Sequence, residues 1–526
     1  MFEFLRSLRR TKPALNAPLR AVAWDGRALD FTFEADVSFE LALDLDGMFF
    51  SNTRVEDGSH VRIAFDFVPS GGDTLDVLPR LGRDGVPLSA QPLRLRLGKP
   101  GIAAASTAAT PALAPLDAAQ LVPFGVDVGA IDVAIVVPVY NAPEQVERCL
   151  DSVRAHTMGR ARLIVIDDAS PDPAIAPLLA RYAQLARVRV LRNDSNRGFT
   201  ATANRGIARA GAADVVLLNA DTEVGPNWLT GLRRAAYARD DIATATAVSD
   251  NAGAFSVPEL EQVNELPSGW TLEESARALW QDAGLAYPEL PTGNGFCMYI
   301  RRNVLDAVGL LDEAAFPQGY GEENDFCQRA SQQGFRHVIA GNVLVRHVRS
   351  ASFGEDRRLA LGFAGMAVLR ERWPDYEADV GRSLFSFERR ALDWRVRRVF
   401  ADARAGSVKP RLLWVGANPP DWADAEVWNL RAEGDRNELV HAGVVVAANI
   451  WHADNAEASY RLLWDWLQAY AIERLLVVAP RESAAEIVCR LLDIPVAAIG
   501  EGPAASAQAA LRDVDAHLRS FAERER

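Results

Sequence analysis

Between residues 130 and 375, short apolar-rich runs alternate with longer stretches in which apolar residues recur every third or fourth position. The runs at 133–137, 163–166, 188–191 and 215–218 are strand-sized. Successive apolar positions fit strands that are covered on both faces. After the first run, Val146, Cys149, Leu150 and Val153 fall on one side of a helix near residues 143–156, because they follow the 3.6-residue period. Asn141 is placed to cap that helix, with Glu144 three residues on as a capping-box partner. A further strand is expected at 296–300. The alternation predicts an α/β domain whose parallel sheet carries helices on both faces.

The flanks follow other patterns. Phe31-Thr32-Phe33 and Phe39-Glu40-Leu41-Ala42-Leu43 read as strands, and Asp-Gly pairs at 25–26, 46–47, 57–58 and 84–85 break them up. Asp-Gly tolerates the positive φ of tight hairpins. Residues 20–100 are therefore expected to form a β-rich, sandwich-like module, preceded by a basic leader at 1–19. Residues 102–120 are Ala, Thr and Pro with almost no charge, which places a linker at 101–129. A helical connection at 376–408 leads to a small α/β module at 409–526. Its strands are expected at 411–415, 443–446, 474–478 and 495–499, with helices at 457–470 and 483–492.

Charge and cysteine content narrow the function classes. The chain has 57 Lys+Arg against 70 Asp+Glu, a net charge of −13. A nucleic-acid partner is excluded on that balance, since it needs a broad basic face. No apolar run reaches the roughly 18–20 residues that span a bilayer. The leader MFEFLRSLRRTK lacks the apolar segment of a secretory signal, leaving at most peripheral contact with an anionic membrane surface. The four cysteines form no CxxC pair, which argues against a disulfide framework or structural zinc and for a cytoplasmic setting.

Ligands of doubly wound sheets bind beyond the carboxyl ends of the strands. Here the first strand ends in Pro138-Val139-Tyr140-Asn141 and the second in Asp167-Asp168-Ala169-Ser170. The third is followed by Asn196-Arg197-Gly198-Phe199, and the fourth ends in Asn219-Ala220-Asp221-Thr222. One Asp at a strand end is often only a helix cap. Four successive polar strand ends on one edge point to a ligand site.

The ordered set VAIVVPVYN, LIVIDDAS, NRGFTATANRG and LLNADTEV resembles the family-two glycosyltransferases of the GT-A fold. PTGNGF at 291–296, YGEENDFC at 320–327 and VRH at 345–347 extend the resemblance across residues 130–375. VSDNA at 248–252, with SVP at 256–258, is similar to a subgroup acting on bacterial surface polysaccharides of the O-antigen or capsule type. The resemblance implies a central GT-A domain with a Rossmann-like mixed sheet. It implies inverting transfer of a hexosyl-type sugar from a nucleoside diphosphate sugar to a hydroxyl of a glycan or lipid-linked glycan, assisted by Mn2+ or Mg2+.

Residue by residue, the resemblance makes Asp221 a metal ligand, with Asn219 replacing the first acid of the family's DxD motif. His347 is implied as a ligand of the metal or the diphosphate. Asp167 or Asp168 would read the nucleotide base, with Pro138, Tyr140, Asn141 and Arg197 around the nucleotide. Gly293-Asn294-Gly295 would form a turn close to the acceptor or the departing phosphate. In the acidic pair Glu322-Glu323, the second position belongs to the base, so Glu323 takes that role and Asp325 is the runner-up. The chemistry is coherent: a divalent cation offsets charge on a diphosphate leaving group, and a base within hydrogen-bond reach deprotonates the attacking hydroxyl. Structural roles remain open for the same residues, namely helix capping, a satisfied buried histidine, and acids favoured by a helix N-terminus.

Two other classes compete. A sugar nucleotidyltransferase would carry a Gly-rich loop with Arg and Lys after the first strand, which Pro138–Pro143 lacks. A non-catalytic glycan- or partner-binding protein would not need Asp221, Glu323 and His347 together. Both a monomer and a homo-oligomer fit the sequence.

Overall fold

The computed structural model describes most of residues 19–103, then 121–284, 287–348, 355–401, 406–416, 418–433, 436–450, 456–477 and 483–498, with a few residues up to 521. The leader, the Asp-Gly pairs at 25–26 and 57–58, and residues 104–120 of the expected linker lie outside the described residues. The chain divides into two compact units, residues 1–116 and 117–526.

In the first unit, β1 (Leu19–Trp24), β2 (Ala28–Phe33), β3 (Phe39–Leu45), β4 (Met48–Val55), β5 (His60–Ala64), β6 (Thr74–Leu81), β7 (Leu93–Arg96) and β8 (Ile102–Ala103) form two antiparallel sheets. Their strand orders are β1-β2-β5 and β4-β3-β6-β7-β8. Asp46-Gly47 joins β3 to β4 with both residues at positive φ, 49° and 83°. That is the conformation Asp-Gly supplies cheaply to a hairpin.

The second unit is built on an eight-stranded sheet. Its strands are β9 (Val133–Val139), β10 (Ala161–Asp167), β11 (Val188–Arg192), β12 (Asp214–Leu218), β13 (Thr222–Val224), β14 (Ile242–Val248), β15 (Cys297–Ile300) and β16 (Arg336–His347). The order is β11-β10-β9-β12-β15-β14-β16-β13. β9 to β12 are mutually parallel, whereas β15 runs antiparallel to both its neighbours. The sheet is thus mixed, where strand-helix alternation alone implied a parallel one. β15 enters the sheet opposite Leu218, at the carboxyl end of β12, so it must run back across it.

Helix Pro143–His156 buries Val146, Cys149, Leu150 and Val153, the face expected from the period. Its cap differs from expectation. The N-cap is Ala142, without a side-chain cap bond. The Asn141 side chain is taken by a neighbouring loop: its Oδ1 accepts from Asp172 N at 3.2 Å.

A second sheet closes the unit, with β17 (Arg411–Val415), β18 (Glu426–Glu433), β19 (Arg436–His441), β20 (Val444–Ile450), β21 (Arg474–Val477) and β22 (Val496–Ala498) in the order β20-β19-β18-β17-β21-β22. The turns that end its helices bond to helices of the eight-stranded sheet's layer. Arg233 and Arg234 of helix Trp228–Tyr237 are buried. Arg233 Nη1 lies 2.5 Å from Asp493 Oδ2, and Arg234 Nη2 donates to Leu492 O at 2.8 Å. Trp280 Nε1 donates to Ala471 O at 3.2 Å. The end of the expected linker also packs here: Val122 is buried, donating to Gln468 Oε1 at 2.9 Å and accepting from Trp464 Nε1 at 2.8 Å. Apolar Leu121, Val122 and Val128 drive that docking, because leaving them in water would forfeit their burial energy.

The Arg233–Asp493 pair makes this interface testable. Asp493→Ala leaves a buried guanidinium without its counter-charge, and it should cost about 3–5 kcal/mol in urea unfolding. Arg233→Met/Asp493→Leu should recover most of that loss. Equal destabilisation by the single and double variants would show that the charge pairing is not the source.

Candidate active site

The carboxyl edge of the mixed sheet opens into a cavity of about 360 Å³. β9 and the turn after it contribute Pro138, Tyr140 and Asn141; the β12–β13 turn contributes Asn219 and Asp221; the segment before β15 contributes Asn294 and Gly295. Helix Glu322–Ser331 contributes Glu322 and Glu323, and the end of β16 contributes His347. Asp168 lines the same cavity. The fold therefore gathers most of the residues singled out in the sequence.

Asp221 and His347 meet because of backbone register. Thr222 pairs with His347 in the antiparallel β13–β16 ladder, and Val348 N donates to Asp221 O at 3.0 Å. This places His347 Nε2 3.4 Å from Asp221 Oδ1. His347 is held at three points, one on its backbone and two on its ring. His347 N donates to Asp250 Oδ1 at 2.9 Å, Nδ1 lies 3.1 Å from Asn251 O, and the ring stacks on Phe296 at 5.3 Å and 15°. A backbone carbonyl only accepts, so Nδ1 carries a hydrogen and Nε2 is turned toward the carboxylate. An imidazole nitrogen beside a carboxylate oxygen suits a divalent cation such as manganese. Among the described residues no group of three His, Cys, Asp or Glu gathers around one point. The two ligands fit a cation that takes its remaining oxygens from diphosphate and water.

The opposite wall is the helix start at Glu322. Gly319, Tyr320 and Gly321 all have positive φ, at 89°, 67° and 144°, and this turn wraps the Glu322 carboxyl. Glu322 is buried, its Oε2 accepts from Gly321 N at 3.0 Å, and it hydrogen-bonds Glu323. Burial first, and then the Glu323 charge, push the Glu322 carboxyl well above the usual carboxylate range. Burial therefore favours the neutral form of Glu322, which can donate to Glu323. Glu323 Oε2 is buried and has no hydrogen-bond partner among the described residues.

Four candidates lie elsewhere. Asp325 is fully buried and does not line the cavity. Its Oδ2 accepts from Arg329 Nε at 2.9 Å, and its Oδ1 from Arg372 Nη1 at 3.0 Å and Trp373 Nε1 at 3.1 Å. Asp167 is buried against Arg192 and Ser170 N. Gly293 sits behind the cavity, where an added Cβ would fall 2.2 Å from Met298 Sδ. The Arg197 side chain pairs with Glu313 at 3.5 Å, while its backbone N donates to Asp168 Oδ1 at 2.8 Å. Asp168 also accepts from Gly198 N at 2.9 Å and Asn193 Nδ2 at 2.6 Å, so it braces the loop before helix Phe199–Ala210.

Sequence reasoning missed Gln318, Gly319, Tyr320, Phe199 and Phe296 as lining residues. Gly319-Tyr320-Gly321 was a readable signal, because glycines that bracket one residue mark an unusual backbone path.

Two predictions follow from this geometry. At Gly198, φ is 84° and an added Cβ would fall 2.2 Å from Pro317 O. Gly198→Ala should displace the 317–319 loop and weaken ligand binding in calorimetry by tenfold or more, at about 1–3 kcal/mol for strain. Glu322 gives a pH signature. A carboxyl raised above its unfolded value contributes stability at low pH, and that contribution is lost as pH rises through the folded value. Glu322→Gln, a neutral isostere, should match wild type near about pH 4 and become more stable than it by about pH 8. Urea melts across that range check this, and a difference independent of pH would contradict a protonated Glu322.

Residues 134–309 match the family described as Glycosyl transferase family 2. The chain is 32% identical over 126 residues to the succinoglycan biosynthesis protein ExoO of Rhizobium meliloti, covering 24% of this chain and 34% of that protein. It is 30% identical over 119 residues to the uncharacterized glycosyltransferase YibD of Escherichia coli, covering 22% and 33%. The chain spans about a third or less of the length of these curated relatives. Among solved structures, the mannosyltransferase PcManGT from Pyrobaculum calidifontis, in complex with GDP-Man and Mn2+, aligns with a TM-score of 0.35 and 16% identity over 54% of this chain and 78% of that one. The sequence match lies in residues 134–309, which are similar to glycosyl transferase family 2.

Proposed function

We propose that this protein is an inverting glycosyltransferase that moves a sugar from a nucleoside diphosphate sugar to a hydroxyl of a glycan acceptor, in the synthesis of a bacterial surface polysaccharide. The observation that carries the reading is the Glu323 carboxylate. Its buried Oε2 lacks a hydrogen-bond donor among the described residues, and it lines the same cavity as Asp221 and His347. A buried carboxylate oxygen without a donor is costly, and an acceptor hydroxyl supplies the missing donor.

In this reading Asp221 and His347 hold a divalent cation, which when bound offsets negative charge on the departing diphosphate. Glu323 accepts the proton of the attacking hydroxyl, and the neutral Glu322 holds the Glu323 carboxylate in place. Asp325 does not touch the reactants. With Arg329, Arg372 and Trp373 it fixes the helix that presents Glu323. The donor nucleotide lies along Pro138, Tyr140, Asn141 and Asp168, with the acceptor between Asn294, Gly295 and Glu323. Among the described residues no helix is long and apolar enough to cross a membrane. We place the reaction on the cytoplasmic side, with a lipid-linked or free glycan as acceptor.

Three measurements test this. Glu323→Gln should lower transfer by about 10²–10⁴-fold while leaving donor affinity within a few-fold. Asp221→Ala should abolish manganese-dependent binding of whichever of UDP-, dTDP- and GDP-sugar the wild type binds in calorimetry. The product linkage by NMR should show the anomeric configuration opposite to that of the donor. Failure of all three donors to bind, with and without manganese, would move the reading to a non-catalytic glycan-binding protein.

A further inference from the structure

The sheet has a second cleft at its other end. β9 spans the distance between them: Val133 lines this cleft, while Pro138 and Val139 line the candidate active site. Seven extended residues put the two about 20 Å apart. The second cleft is about 620 Å³ and lies at the amino ends of β9, β10 and β11. Five arginines line it, Arg160, Arg162, Arg187, Arg189 and Arg209, against one acid, Asp132.

Among the described residues, only Arg160 of these arginines has its charge answered. Arg160 Nε lies 2.9 Å from Asp132 Oδ1. The Arg162 guanidinium donates to Ala210 O, and its Nε is buried without a partner among the described residues. No side-chain hydrogen bond or ion pair is made by Arg187, Arg189 or Arg209 among the described residues. Arg187 is held in a left-handed turn, with φ at 57°, by the bond from Leu163 N to its own carbonyl at 2.9 Å. The chain has 70 acidic residues, yet among the described residues only Asp132 lines this cleft with the five arginines. Like charges gathered this way repel one another, and an anion that pairs with several at once removes that cost. The planar guanidinium matches phosphate oxygens two at a time.

We propose that this arginine cleft is a binding site for a phosphate-bearing anion, separate from the donor site on the opposite edge of the sheet. The shared chemistry is a phosphate group carrying more than one oxygen acceptor, either free in solution or at the head of an anionic lipid. The cleft would tether the enzyme or report the state of a phosphate pool without taking part in the transfer.

The test uses the full chain, the exposed double variant Arg189→Glu/Arg209→Glu, the neutral variant Arg189→Gln/Arg209→Gln, and Asp221→Ala. Inorganic pyrophosphate is titrated by calorimetry in the absence of metal. Vesicles of phosphatidylcholine with or without phosphatidylglycerol are tested by co-sedimentation. Pyrophosphate binding that survives Asp221→Ala and falls tenfold or more in both arginine variants assigns a free phosphate. Co-sedimentation only with phosphatidylglycerol, lost in both arginine variants, assigns a lipid head group. The proposal is overturned if wild type binds neither probe, or if binding persists in the arginine variants. Thermal melts matching wild type show that the variants fold. Loss of donor-sugar binding in Asp221→Ala is a separate result, so the two readings fail independently.

Discussion

The candidate site depends on the ladder between a three-residue strand and the end of a twelve-residue one. Thr222–Val224 is too short to hold its position alone, yet its pairing with Arg346 and His347 fixes which side chains face each other. One residue of slip would turn His347 to the other face of the sheet. Three bonds beneath the turn pin the register. Thr222 N and Oγ1 both donate to Asn219 O, and Asn219 N donates to Phe296 O. The approach of Asp221 and His347 is therefore set by sheet geometry, and sites built on strands are held more closely than sites on loops.

Four carboxyl groups line the cavity, in a chain that is already net negative. Unmodified, such a wall would repel a diphosphate. The structure disposes of two of the charges. Asp168 spends its charge on Arg197 N, Gly198 N and Asn193 Nδ2, and burial raises the Glu322 carboxyl well above the usual carboxylate range. Asp221, beside His347, and Glu323 also line the cavity. In the function proposed above, one of them would hold a cation at the leaving group and the other would take a proton from the nucleophile. The arginine cleft at the other end of β9 completes the polarity, with acids at the carboxyl edge of the sheet and cations at the amino edge.

The parts of the fold that were legible in the sequence are those whose signal is local. The buried face of helix Pro143–His156 follows from spacing alone, and the hairpin at Asp46-Gly47 from one dipeptide. β18 and β19 escaped because Glu426, Arg431, Glu433, Arg436 and Glu438 break any apolar pattern. Arg431 and Glu438 satisfy each other across the pair at 2.9 Å, a cross-strand contact that no window of sequence reveals. The cap at Asn141 failed for the same reason, since a loop thirty residues away competes for its side chain.

The choice between Glu323 and Asp325 shows where sequence reasoning about the site stops. Two residues apart on a helix point to different sides, so at most one of them faces the cavity. The spacing states this exclusion but does not say which acid wins. Partners from the far side of the chain decide it. Arg372 and Trp373 both reach Asp325 Oδ1, and Arg372 also holds Asp312 at 2.9 Å. Once those donors have claimed Asp325, rotation about the helix axis is fixed, and Glu323 is the acid left to face the ligand. Which of the two acids lines the cavity is thus a tertiary property, set by an arginine and a tryptophan nearly fifty residues away.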